Sequence, residues 1–107
     1  MKKITDLLRE AQNMQGKLAA VQEELGRKQV QGSSGGGIVQ VTANGRQEIV
    51  AVQIDPSLLQ AGDLEMLQDL VAAAANDALR QAKGMLEQEM QSLAGGFNLS
   101  GLFGKNP

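Results

Sequence analysis

The fold turns on the stretch Ile38-Val39-Gln40-Val41-Thr42-Ala43-Asn44-Gly45 and its return, Arg46-Gln47-Glu48-Ile49-Val50-Ala51-Val52-Gln53-Ile54. Apolar residues, most of them β-branched, alternate with others on both sides of Asn44-Gly45. A period of two puts successive side chains on opposite faces of a strand. Asn-Gly is the pair preferred in a two-residue type I′ turn, which needs positive φ at both central positions. The stretch therefore predicts a β-hairpin, with Ala43 opposite Arg46, Val41 opposite Glu48 and Val39 opposite Val50. On that register Val39, Val41, Val50, Val52 and Ile54 share an apolar face that a helix must cover. The second face carries Gln40, Thr42, Gln47 and Gln53, but also Ile38, Ile49 and Ala51. It is less polar than a fully wet face, which leaves room for partial cover by a partner.

Upstream, Gly32-Ser33-Ser34-Gly35-Gly36-Gly37 breaks all periodicity and reads as a flexible connection between strands. It is not a phosphate-cradling loop, because that motif follows a strand, opens a helix and carries Lys-Ser/Thr. Arg27-Lys28-Gln29-Val30-Gln31 before it reads as a weak edge strand. The chain opens with a helix. Ile4, Leu7, Ala11, Met14, Leu18, Val21 and Leu25 recur at steps of three and four, a heptad stripe as in coiled coils. Thr5 is the candidate cap, with a start at the terminus itself as the alternative. Gly26 stands where the pattern stops, a natural C′ position. The stripe packs either on the chain's own sheet or, in part, on a partner helix.

Downstream, Asp55-Pro56 ends the hairpin and caps a short helical segment. Asp63 caps a second long helix running to about Leu93, with Asp63, Glu65 and Asp69 near its positive end. At about 1.5 Å per residue this helix is roughly 45 Å long, more than the short strands can cover. Its Ala72-Ala73-Ala74-Ala75 run offers a smooth surface for close packing. Gly95-Gly96 is expected to end it. The organisation expected is one domain over residues 1–94 and a Gly-rich, mobile tail over 95–107. Phe97, Leu99, Leu102 and Phe103 in that tail are an alternative apolar patch.

The chain of 107 residues has no Cys, His, Trp or Tyr, and two Phe. No imidazole or thiol is available for acid–base or nucleophilic chemistry, and none for zinc. No hydroxyl has an activating base near it in sequence. The expectation is a non-enzyme with no cofactor, no metal and no small-molecule substrate. No apolar run is long enough to span a membrane or to serve as a signal peptide. The absence of cysteine fits a reducing cytosol. With aromatic residues nearly absent, the core is thin for a monomer, which favours an oligomer.

Several segments together resemble the YbaB/EbfC family of bacterial nucleoid-associated DNA-binding proteins. They are Met14 in a Gln/Met/Lys-rich first helix, Gly36-Gly37-Ile38-Val39-Gln40-Val41-Thr42 with Asn44-Gly45, and Val52-Gln53-Ile54-Asp55-Pro56-Ser57-Leu58-Leu59. Met66-Leu67-Gln68-Asp69-Leu70-Val71-Ala72-Ala73-Ala74 and Asn76-Asp77-Ala78 follow in order. The resemblance implies an α+β fold of order α-β-β-β-α, with a three-stranded antiparallel sheet and two long helices. It also implies a tweezer-like homodimer, a cytoplasmic, nucleoid-associated location and duplex DNA as partner.

Charge is distributed unevenly behind a net of −2. Residues 1–28 hold six basic and four acidic side chains, whereas the remainder holds four basic and eight acidic ones. Candidate DNA-contacting residues are Lys2, Lys3, Arg9, Lys17, Arg27, Lys28, Arg80 and Lys83. With no aromatic platform for bases and no basic recognition helix, contacts to phosphate and shape are expected to dominate. Candidate dimer contacts are Leu18, Val21, Leu25, Ile38, Ile49, Ala74 and Ala78. The competing reading is a non-catalytic dimeric adaptor or scaffold, to which the net acidity and the apolar tail would suit.

Overall fold

A computed structural model describes residues 3–96, with side chains described through residue 93. The elements are α1 (Ile4–Arg27), β1 (Gln29–Ser34), β2 (Val39–Asn44), β3 (Ile49–Ile54), α2 (Pro56–Ala61) and α3 (Leu64–Gly96). The three strands form one antiparallel sheet in the order β1-β2-β3. This is the α-β-β-β-α order expected, with α2 as a short turn of helix before α3.

The hairpin lies where Asn44-Gly45 places it, but its turn and register differ from expectation. Val39 pairs with Ile54 instead of Val50 and Val41 with Val52 instead of Glu48, and a bulge brings Ile49, expected on the second face, opposite Ala43 in place of Arg46. Gly45 is not among the positive-φ residues, so the turn is not type I′, whereas Gln47 has φ 64°. Asn44 organises a longer loop: its Oδ1 accepts the N–H of Arg46 at 2.9 Å and of Glu48 at 3.1 Å. Its Nδ2 donates to Glu48 Oε1 at 2.6 Å, and it is 5% exposed. An Asx turn thus outcompetes the two-residue turn. Gly45 is required for another reason. A Cβ there would meet the Leu25 carbonyl and side chain at 2.8 Å, because its N–H caps the end of α1 by donating to the Leu25 carbonyl at 2.8 Å.

The Gly-rich stretch is more ordered than the sequence suggests. β1 runs through Gly32 and Ser33 to Ser34, and the connection is four residues, 35–38, in which Gly35, Gly36 and Gly37 all have positive φ. Gly32 sits in mid-strand because α3 comes down upon it. A Cβ there would run into the backbone nitrogen of Ala78 and the carbonyl oxygen of Ala74. Ala74, Ala78 and Ala82, one helical turn apart, are fully buried against Val39, Val41 and Ala43. Leu58 of α2 closes one end of this core, and Leu67, Leu70 and Val71 pack around it.

α1 begins at Ile4 after Lys3, with no side-chain cap, so Thr5 lies inside the first turn. It passes through Gly26 to Arg27, and Lys28 rather than Gly26 ends it. Its heptad stripe does not pack on the sheet. Leu25 is buried, Met14, Leu18 and Val21 are half-buried, and Ile4, Leu7 and Ala11 are exposed. Asp55 and Asp63 cap as expected: Ser57 donates its N–H to Asp55 Oδ1 at 2.9 Å and Met66 to Asp63 Oδ1 at 3.0 Å. α3 continues through Gly95 and Gly96 instead of stopping near Leu93, and at about 1.5 Å per residue it is roughly 50 Å long. The radius of gyration is 20.3 Å, against roughly 13 Å for a compact chain of this length. The helices therefore reach well past the sheet. Residues 97–107, on which the expected mobile tail and its alternative apolar patch both fall, lie outside the described residues.

Candidate nucleic-acid interface and sheet edges

The candidate cations fall into two groups. Lys3, Arg9 and Lys17 lie along the first part of α1, and all three are exposed. Arg27 and Lys28 lie at its root, and Arg80 and Lys83 lie midway along α3. Lys2 lies outside the described residues. On α1, Arg9 and Arg27 stand opposite the apolar stripe and Lys17 on its flank, while Lys3 and Lys28 cap the two ends.

Carboxylates accompany most of these cations. Arg9 stands 3.9 Å from Asp6, Arg27 3.1 Å from Glu24 and Arg80 3.8 Å from Asp77, each three residues apart on its helix. Such exposed pairs are weak and open readily to a competing phosphate. Lys28 is different. Its Nζ reaches across to Glu89 Oε1 of α3 at 2.8 Å, and both side chains are partly buried. That hydrogen bond, with the Glu89 charge, holds the Lys28 amine above its ordinary pKa. The sequence gives no hint of this pairing between residues 61 positions apart.

The seven candidate dimer contacts separate by exposure. Leu25, Ala74 and Ala78 are enclosed in the protomer's own core. Leu18, Val21 and Ile38 are half-buried, and Ile49 is 47% exposed.

The two edges of the sheet are unlike. On β1, the outward N–H of Ser33 donates to Asp77 Oδ2 at 3.0 Å, and the outward carbonyl of Gln31 accepts from Gln81 Nε2 at 2.8 Å. Ser34 Oγ adds a bond to the Leu70 carbonyl at 2.6 Å. α3 thus closes that edge with side chains one turn apart. Sequence reading missed Asp77 and Gln81, since nothing local distinguishes an edge-sealing carboxylate from a solvated one. On β3 every residue is exposed. Ile49, Val52 and Ile54 stand beside buried Ala43, Val41 and Val39 on the helix-covered face, yet α3 lies over β1 and β2 and leaves them open.

Among the described residues no group of His, Cys, Asp or Glu is arranged to hold a metal ion, and no helix is long and apolar enough to cross a membrane. The surface hollows are shallow. One at the α2–α3 corner is lined by Leu58, Leu59, Leu64 and Leu67, with Asp63 at its rim. The features that stand out among the described residues are thus long helices carrying cations and a half-covered sheet.

The chain belongs to the YbaB/EbfC DNA-binding family, whose model matches residues 1–97. It is 52% identical over 99 residues to a nucleoid-associated protein of Desulfotalea psychrophila, covering 92% of this chain and 93% of that one. It is 48% identical over 100 residues to a nucleoid-associated protein of Caldanaerobacter subterraneus, covering 94% and 90%. Among solved structures it resembles an uncharacterized protein of Helicobacter pylori, with a TM-score of 0.73 and 30% identity, over 92% of this chain and 98% of that one.

Proposed function

We propose that this protein is a non-enzymatic, nucleoid-associated protein of the cytoplasm that binds duplex DNA as a homodimer. The observation that carries the DNA reading is membership of a DNA-binding family over residues 1–97. The exposed cations along α1 support contact with phosphates, and the scarcity of aromatic residues, two Phe in the whole chain, favours duplex over single strands. Lys2, Lys3, Arg9 and Lys17 form one contact region and Arg80 and Lys83 a second, with shape and backbone read rather than base edges. The homodimer is supported by the open row Ile49, Val52 and Ile54, which continues a buried core and lacks its own cover. An apolar shelf of this kind on a core of mainly small residues is stabilised by a second copy.

A gel-shift titration on random-sequence duplex at low and moderate salt tests the DNA reading. Retardation at low salt, weakening with a slope near 0.9 per neutralised phosphate, is expected. Absence of retardation at low salt overturns it and favours an adaptor. Charge reversal at Lys2, Lys3 and Arg9, beside reversal at Arg80 and Lys83, ranks the two regions.

A further inference from the structure

α1 is joined to the rest of the protomer mainly at its root. Leu25 is its only fully buried side chain, and the first turns carry exposed Ile4, Leu7 and Leu8. Two contacts grip the root from different sides. The β2–β3 loop holds it through the Gly45 N–H, which donates to the Leu25 carbonyl at 2.8 Å and to the Lys28 carbonyl at 3.1 Å. The Arg46 side chain lies against Gly26 on the same side. From α3, Glu89 grips Lys28 at 2.8 Å. The Lys28 backbone is itself fixed, since its N–H donates to the carbonyls of Glu24 and Leu25. A side chain anchored at both ends acts as a brace between two helices rather than as a free cation. Arg9, Arg27 and Arg80 pair with a neighbour on their own helix, and such pairs constrain nothing between elements.

We propose that Lys28 is a positioning residue, which through Glu89 of α3 sets the angle at which the α1 arm leaves the sheet, and that it does not contact DNA phosphate. The brace fixes where Lys3, Arg9 and Lys17 stand relative to Arg80 and Lys83. A few degrees at the root displaces the far end of a 24-residue helix by several times more than it displaces the root. Because the pair is partly exposed, added salt weakens it.

The first test needs no DNA. The chain lacks cysteine, so cysteines placed at exposed Gln12 on α1 and Gln68 on α3 are the only labelling sites. Spin labels there, with labelled full-length chains diluted into excess unlabelled protein, report the arm distance within one chain. A single dominant distance is expected for the wild-type root. Lys28→Met and Glu89→Gln should each raise the minor arm populations about two- to fivefold, the range set by an exposed ion pair. The swap of Lys28→Glu with Glu89→Lys should restore the wild-type distribution. Distributions unchanged in both single variants, or a swap as broad as the singles, overturn the proposal. The second test rests on the DNA reading. Lys28→Met should leave the slope of DNA affinity against salt unchanged, whereas a slope reduced by about 0.9 makes Lys28 a phosphate contact and overturns the proposal. Were the protein not to bind DNA at all, the DNA reading would fail and the distance measurement would still decide the brace.

Discussion

The two edges of the sheet show how one chain can finish a surface in one place and leave it open in another. At β1, helix and strand meet so closely that only glycine fits at position 32, and Asp77 and Gln81 satisfy the outward backbone groups. At β3, Ile49, Val52 and Ile54 continue the same apolar face without a helix above them. Composition explains the difference. A 33-residue helix with an alanine ridge buries itself deeply but narrowly, covering two strands and not a third. An exposed edge with apolar side chains is a template for association unless something covers it. The closed edge is therefore the site of protomer stability, and the open one is the site of proposed dimerisation.

The largest expected effect falls on the closed edge. Gly32→Ala forces a methyl group into the backbone of α3, and urea unfolding should show a loss of about 3 kcal/mol. A loss below about 0.5 kcal/mol would mean that α3 is not seated as described. On the open edge, Val52→Lys with Ile54→Lys should leave the far-ultraviolet spectrum unchanged while weakening self-association by roughly 100-fold, as charged groups enter an apolar contact. An unchanged association constant would move the interface elsewhere. A smaller effect is expected for Asp77→Ala, which removes the acceptor for the Ser33 N–H. Water can replace it at this exposed site, so the cost should be about 1 kcal/mol, with faster amide exchange at Ser33.

The smallest effect belongs to the cap that ends β3. Hydrogen bonds from Ser57 hold the Asp55 carboxyl below the usual carboxylate range. A depressed pKa contributes stability above the unfolded value near 4, and that contribution is lost as pH falls through the folded value. Asp55→Asn should therefore flatten the acid limb of the stability profile below about pH 4 and leave the neutral region nearly flat. An acid limb identical to wild type would remove Asp55 from that role.

Local signals in the sequence carried much of this architecture. The heptad stripe, the alternating strands and the two aspartate caps place α1, β2, β3, α2 and α3 within a few residues of where they lie. The failures share one cause. Gly45 and Gly32 look like punctuation for a turn and a loop, yet each is glycine because a distant element presses on it. Asn44 likewise shapes a longer loop through its side chain, which shifts the register and brings Ile49 rather than Arg46 opposite Ala43. The candidate cations were visible as a charge asymmetry. Their separation into exposed residues and a braced Lys28 was not, since it depends on Glu89 arriving from the far end of the chain.

Completion of the β3 face by a second copy, proposed above as the base of the DNA-binding arms, is open to a single decisive experiment: sedimentation equilibrium of the wild-type protein at micromolar concentration. The expected mass is twice that of the 11.3 kDa chain. A mass of 11.3 kDa would rule the proposed dimer out.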